Sequence, residues 1–155
     1  MSFFVGSPVV FGGPTSVDDS AQNKLGTRAR DNEGNEYIYL EGVASVIAGS
    51  WVLYDEAFAT VGLDTGAEEK GPVAVAMAAV TANKFGWFMI WGTTSASSGD
   101  VADNGLVFAT STVFVCDDAA VADQQVIGAK WRGADASSVA VVQLNYPWHG
   151  VDEAA

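Results

Sequence analysis

The sequence predicts an all-β protein, a compact barrel or sandwich of roughly ten short strands with an extended N-terminal arm. Three observations support this fold class. The chain has 155 residues, of which 49% are hydrophobic and 17% are charged, so it can bury the core of one domain. Short apolar runs alternate with turns at intervals of roughly 8 to 15 residues. No long stretch has the three-and-four spacing of an amphipathic helix.

The clearest element is a hairpin that begins just after Gly26. Residues 27–31 and 36–41 are rich in β-prone side chains, and a four-residue turn that contains Gly34 joins them. Two further strands are predicted at 50–54 and 57–61, with an acidic pair between them.

The segment from Pro72 to Val80 is predicted to be a strand, although its Ala and Met residues favour helices. Large side chains fall at Val73, Val75 and Met77, and alanines fill the positions between them. This period of two indicates a strand, and a helix remains the alternative.

The run from Phe85 to Gly92 is apolar on both of its alternating faces. A strand of this kind is covered on both sides, by a second layer of the same chain or by another subunit. Its tryptophans, Trp87 and Trp91, are therefore expected in a core or an interface, as is Trp51. The remaining strands are predicted at 106–110, 112–116, 125–129 and 138–144.

The first 25 residues differ from the β domain, which we place at 26–148 and follow with a tail at 149–155. An apolar run from Ser2 to Phe11 precedes a Gly-Gly-Pro break and a polar stretch. It is either an edge strand of the same domain or an arm that becomes ordered only on a neighbouring subunit. The predicted partner contacts in this segment are Phe3, Phe4, Val5, Val9, Val10 and Phe11.

Three more partner contacts are predicted near the C-terminus: Trp131, Arg132 and Trp148. Trp131 lies between Lys130 and Arg132, and we expect its indole to be partly exposed, where the cations can stack on it or pair with acids of a partner.

The net charge of −12 disfavours both nucleic acid and anionic membrane surfaces as partners. The longest aliphatic stretch, from Val73 to Val80, is much shorter than the roughly 20 residues that cross a bilayer. The N-terminus lacks the basic region and long apolar run of a signal peptide. We therefore expect the chain to stay in the cytoplasm, or in a particle assembled there.

Few residues are available for chemistry, so the sequence predicts no enzyme, no metal and no cofactor. The single histidine, His149, is expected at the surface near the terminus, and the single cysteine, Cys116, as a small buried hydrophobe. The stretch from Asp100 to Gly105 starts like an EF-hand loop but has Ala102 where a carboxylate or amide is needed. Five carboxylate pairs fall in or beside loops, where solvated turns explain them, and a glycoside hydrolase stays open as a minor alternative.

From Gly26 onward, five stretches follow one another in a characteristic order: residues 31–39, 71–76, 85–92, 109–112 with the following Asp117-Asp118, and Tyr146-Pro147. This order resembles that of the head decoration proteins of tailed phages. The resemblance covers about residues 26 to 148 and implies a compact β domain that forms dimers or trimers. It also implies binding to the major capsid protein on the outer surface of the virion.

Two other classes remain open besides a decoration protein. One is another virion module, such as a tail, fibre or carbohydrate-binding domain, and the other is a hydrolase of cell-wall glycans. A row of tryptophans on one open face would favour sugar binding, and burial of the tryptophans would count against it.

Overall fold

The computed structural model describes residues 3–5, 10–67 and 70–150 of the chain. These residues form twelve strands and no helix, which confirms the predicted all-β class. The strands are β1 (Phe4–Val5), β2 (Val17–Asp18), β3 (Arg28–Asp31), β4 (Glu36–Glu41), β5 (Trp51–Tyr54), β6 (Thr60–Gly62), β7 (Gly71–Ala76), β8 (Phe85–Ser97), β9 (Leu106–Ala109), β10 (Cys116–Asp117), β11 (Gln125–Trp131) and β12 (Val139–His149).

The strands belong to one antiparallel sheet that does not close into a barrel. Its order is β1-β3-β4-β8-β7-β12-β11-β9-β10, and β5 and β6 branch from β7. The 13-residue strand β8 pairs with β4 and β7 in its first half and with β12 in its second half. Of the two predicted architectures, this arrangement is consistent with a sandwich.

The main core lies between parts of the sheet that are not neighbours. Trp51 of β5 and Trp131 of β11 meet edge to face across it, with ring centroids 5.8 Å apart. A second, smaller core lies on the other side of β4, β7 and β8, and Val46 of the connection before β5 belongs to it. Aromatic and branched side chains on alternate positions supply both cores, as expected for strands buried on two faces.

This double burial confirms the predicted strand at 85–92 and the first part of the strand predicted at 72–80, which ends at Ala76 in the structure. In β7, Val73 and Val75 lie in the main core, and Ala74 and Ala76 lie in the second. Residues 87–90 of β8 divide in the same way between the two cores. The covering layer on each side belongs to the same chain.

The predicted strands at 57–61 and 112–116 are shorter in the structure, and a positive φ explains each difference. Phe58 has a φ of 64° and Phe114 a φ of 69°, a left-handed conformation that no regular strand contains. The predicted hairpin is confirmed as β3 and β4, with Arg28 opposite Ile38. The last strand continues five residues beyond the predicted end, to His149.

Near the N-terminus, the described residues contact their own chain. Phe4 is opposite Asp31 of β3, and its ring packs on Trp87 at 4.6 Å and on Tyr37 at 5.7 Å. Asn32 accepts a hydrogen bond from the Phe3 amide through its side-chain oxygen. Of the two alternatives for this segment, these residues show the edge strand.

Candidate functional site

The most distinctive surface of the molecule is a broad sheet face that no other part of the described chain covers. We call it the open face, and it consists of the outward side chains of the second half of β8 and of β9, β11 and β12. Directly opposed pairs define it, including Asn145 with Trp91, Val141 with Ser95, and Lys130 with Gln143. Its members are Trp91, Thr93, Ser95, Leu106, Ile127, Lys130, Val139, Val141, Gln143, Asn145 and Trp148.

A cluster of aromatic and charged side chains adjoins the open face at the Trp91 end. We call it the Tyr146 cluster, and it consists of Arg28, Arg30, Glu36, Trp91 and Tyr146. The Tyr146 ring lies 5.4 Å from the Trp91 ring, and the Arg28 guanidinium lies 5.8 Å from the Tyr146 centroid. The Tyr146 hydroxyl donates a 2.7 Å hydrogen bond to Glu36.

The electrostatics of the Tyr146 cluster centre on the buried carboxylate of Glu36, whose side chain is 10% exposed. Arg28 lies 3.8 Å from it and Arg30 3.5 Å, both through side-chain nitrogens. The hydrogen bond from Tyr146 to Glu36 raises the pKa of the phenol, with help from partial burial. A tyrosine hydroxyl is protonated at neutral pH, and the raised pKa means that Tyr146 goes on donating to Glu36 at a higher pH than an unperturbed tyrosine would.

An irregularity in the pairing of β11 and β12 brings Tyr146 to the surface. Three residues of β12, from Asn145 to Pro147, lie between positions that flank the single residue Gly128 in β11. Gly128 has a φ of 82°, and a Cβ there would come within 2.5 Å of the Asn145 carbonyl oxygen. Tyr146 itself has a φ of 45°, which is strained for a residue other than glycine. A bulge of this kind re-aims a side chain, and here it turns Tyr146 outward.

The N-terminal strand continues this surface. Val5 is opposite Arg30, Arg30 is opposite Glu36, Glu36 is opposite Trp91, and Trp91 is opposite Asn145. One row of side chains therefore crosses five strands, from the predicted contact Val5 to the open face.

Hollows along the open face leave room for a partner's side chains. Leu106, Ile127, Lys130 and Asn145 line an open hollow of about 330 Å³. Beside Trp148, a larger groove of about 880 Å³ extends to Arg28 and also contains Asp55 and Glu56.

The structure separates the predicted partner contacts into several groups. Trp148 is exposed on the open face and Arg132 is exposed beside it, where Arg132 donates hydrogen bonds to Gln143 at 2.9 Å and to Asn104 at 2.7 Å. Phe3, Val5 and Phe11 are exposed, whereas Phe4 and Val10 pack against the main core. Val9 lies outside the described residues.

The expectation that Trp131 is partly exposed is wrong. Its indole is fully buried and donates a 3.2 Å hydrogen bond to the Asp117 carbonyl. The reason is the alternation of β11, in which the exposed Lys130 and Arg132 leave only an inward direction for the residue between them.

The expectation that His149 lies at the surface is also wrong. It is the last residue of β12, it is fully buried, and its Nε2 lies 3.0 Å from Oε1 of Gln124. Burial, together with the nearby Lys70 charge, lowers the pKa of His149 to about 4, and Asp64 opposes the shift. The ring is therefore neutral at pH 7.

Sequence reasoning missed the residues at the centre of the site. Arg28 and Arg30 could have been found, because alternate positions of a strand share one face. Trp91 is expected in a core or an interface, and the structure excludes the core, since Trp91 is the exposed end of an otherwise buried run. Tyr146 gave no signal, since its direction depends on the bulge.

The described residues contain no group of three or more His, Cys, Asp or Glu side chains placed to hold a metal ion. Across the same residues, no helix has the length and apolarity to span a membrane. Comparisons with family models, curated proteins and solved structures find no match for the chain.

Proposed function

We propose that the chain is a structural decoration protein of a tailed-phage head. In this proposal it binds the outer surface of the virion after assembly in the host cytoplasm and stabilises contacts between subunits of the major capsid protein. The observation that carries the proposal is the open face with the adjoining Tyr146 cluster, a sheet surface that the described part of the chain leaves uncovered and that has exposed aromatic and aliphatic side chains. Trp91 is 39% exposed, Tyr146 45% and Trp148 51%.

Exposed aromatic residues in such numbers on one face are typical of surfaces that bind other proteins. A decoration protein needs such a surface and needs no chemistry, because it strengthens a shell by burying area across subunit boundaries. The order of the motifs from Gly26 onward agrees with this role. Self-association as a dimer or trimer is part of the proposal.

The test is to mix purified protein with undecorated phage heads and to measure co-sedimentation at several salt concentrations. We expect saturable binding with a fixed number of copies per head. A lack of binding at every salt concentration would contradict the proposal.

A second candidate is a tail, fibre or other virion module that binds carbohydrate. Trp91 and Trp148 favour it, because both indoles are exposed on the same surface and sugars stack on such rings. Against it, Trp51, Trp87 and Trp131 are fully buried, and the Trp91 ring already packs against the Tyr146 ring at an angle of 40°. Binding to cell-envelope glycans, with no binding to heads, would select this candidate.

A further inference from the structure

Charged residues are distributed unevenly over the molecule. The chain as a whole is acidic, whereas the open face and its borders carry mainly basic side chains. The chain carries 19 acidic and 7 basic residues. Among the outward strand positions of the open face there is no Asp or Glu. Four of the seven basic residues lie in or beside this surface: Arg28, Arg30, Lys130 and Arg132.

These cations are accessible to a partner. The side chains of Arg28 and Arg30 are 56% and 63% exposed, and their contacts with Glu36 are longer than hydrogen bonds. A guanidinium has five N–H donors and pairs with a carboxylate through two of them. Each of the two arginines can therefore donate hydrogen bonds to a carboxylate of a partner while it stays close to Glu36.

The residue types next to these cations are those that dominate binding energy at protein interfaces, namely Trp, Tyr and Arg. The bulge between β11 and β12 turns Tyr146 outward, so that its ring lies beside Trp91 and Arg28 on this surface. Apolar side chains such as Val141 and Ile127 extend the same surface.

Nucleic acid fits this surface less well than protein does. The loops at the ends of the same strands carry Asp103, Asp118, Asp123 and Asp135, so a phosphate backbone that crosses the face would meet carboxylates on leaving it. A second copy docked by two-fold symmetry also fits poorly, since it would place the cationic face against itself.

We infer that the open face and the Tyr146 cluster together bind an acidic protein surface with an apolar centre. Its carboxylates would lie opposite Arg28, Arg30, Lys130 and Arg132, and its apolar residues would pack on Trp91 and Tyr146. The identity of the partner rests on the proposed function, in which the acidic partner surface belongs to the major capsid protein.

The test compares two double variants that each remove two positive charges. The face variant is Arg28→Gln with Arg30→Gln, and the matched control is Lys24→Gln with Lys84→Gln, outside the strands of the open face. Lys84 pairs with Asp19 at an exposed site, and such pairs contribute little to stability. Thermal unfolding of both variants establishes that they fold.

Binding to undecorated heads is measured by co-sedimentation from about 50 to 200 mM salt, a range over which exposed charge interactions are increasingly screened. We expect the face variant to bind at least about tenfold more weakly than wild type, and the control within about threefold. Affinity of the wild type should fall with salt more steeply than that of the face variant. If the face variant does not fold, Lys130→Gln with Arg132→Gln replaces it, with the same expectation.

The outcomes separate the inference from the proposed function. No binding by the wild type would contradict the proposed function. Wild-type binding that neither face variant weakens would overturn the inference and leave the proposed function in place. Two further results would also overturn it: binding of a single-stranded DNA oligonucleotide at physiological salt, or a change of oligomeric state in the face variant by light scattering.

Discussion

Tryptophan placement shows how the direction of one side chain determines its role. Trp131 and Trp148 lie in neighbouring strands of the same sheet, yet one is fully buried and the other is about half exposed. Trp131 alternates with Lys130 and Arg132 and therefore points into the main core. Trp148 is opposite Ile127, which is also exposed, and both side chains point away from the main core.

Replacing these two tryptophans should lower the stability of the fold by very different amounts. Trp131→Ala leaves a large cavity beside Trp51 and should lower the free energy of unfolding by about 3 to 5 kcal/mol. Trp148→Ala should lower it by less than about 1 kcal/mol. Urea unfolding measures both, and equal losses for the two variants would contradict these positions.

His149 should make the protein less stable as the pH falls. Its pKa of about 4 in the folded protein is below the value of 6.5 for an unperturbed histidine. A histidine whose pKa is lower in the folded than in the unfolded protein contributes its full stability above pH 6.5. This contribution is lost as the pH falls towards 4. The loss between pH 7 and pH 4 should reach about 3 kcal/mol.

The carboxylates also titrate in this range. The measurement is therefore the difference in the free energy of unfolding between wild type and His149→Gln, determined at pH 7 and at pH 4. Burial alone would raise the pKa of Asp31, but hydrogen bonds from Asn35, Tyr37 and the backbone of Glu33 outweigh it and lower the pKa. That contribution is the same in both proteins. A difference in unfolding free energy that does not change between pH 7 and pH 4 would show that His149 is not buried in its neutral form.

At the scale of elements, the bulge between β11 and β12 shapes the candidate site. Gly128→Ala introduces a Cβ 2.5 Å from the Asn145 carbonyl oxygen at a φ of 82°. Gly34→Ala is the matched control, because Gly34 has a φ of 89° and open space around the added Cβ. We expect about 1 to 2 kcal/mol of destabilisation for Gly34→Ala and at least about 1 kcal/mol more for Gly128→Ala. Similar melting temperatures for the two variants would mean that the bulge does not need a glycine.

The N-terminal strand β1 offers a second comparison between neighbouring residues. Phe4 packs on Trp87 and Tyr37, so Phe4→Ala should cost about 1 to 2 kcal/mol of unfolding free energy. Phe3 is exposed, and Phe3→Ala should change the stability by less than about 0.5 kcal/mol. If Phe4→Ala leaves the isolated protein unchanged, residues 3–5 act as an arm for another subunit.

The elements that sequence predicted well are those whose burial follows a simple period. Val73 to Ala76 alternate large and small side chains, and the two faces of β7 enter two different cores as this pattern indicates. The elements that it predicted poorly depend on backbone torsion angles. Phe58 and Phe114 are β-prone residues in left-handed conformations, and Tyr146 faces outward because Gly128 permits a bulge across the strand pair. The residue types at these positions do not indicate such backbone torsion angles.

At the scale of the whole molecule, the separation of charge connects the fold to the proposed function. The sheet places a nearly acid-free, aromatic surface on a chain of net charge −12. The rest of the surface carries most of the acidic residues. Attachment through the open face would leave this acidic surface exposed to solvent, on the outside of the shell.

The measurement that tests the central claim most directly is the temperature at which DNA-filled heads release their DNA, with and without the protein. A decoration protein that joins capsid subunits should raise this temperature by several degrees at saturation, because binding stabilises the state to which the ligand binds. The Arg28→Gln, Arg30→Gln variant should need a higher concentration for the same effect. An unchanged release temperature at saturating wild-type protein would contradict the claim that the chain stabilises the head.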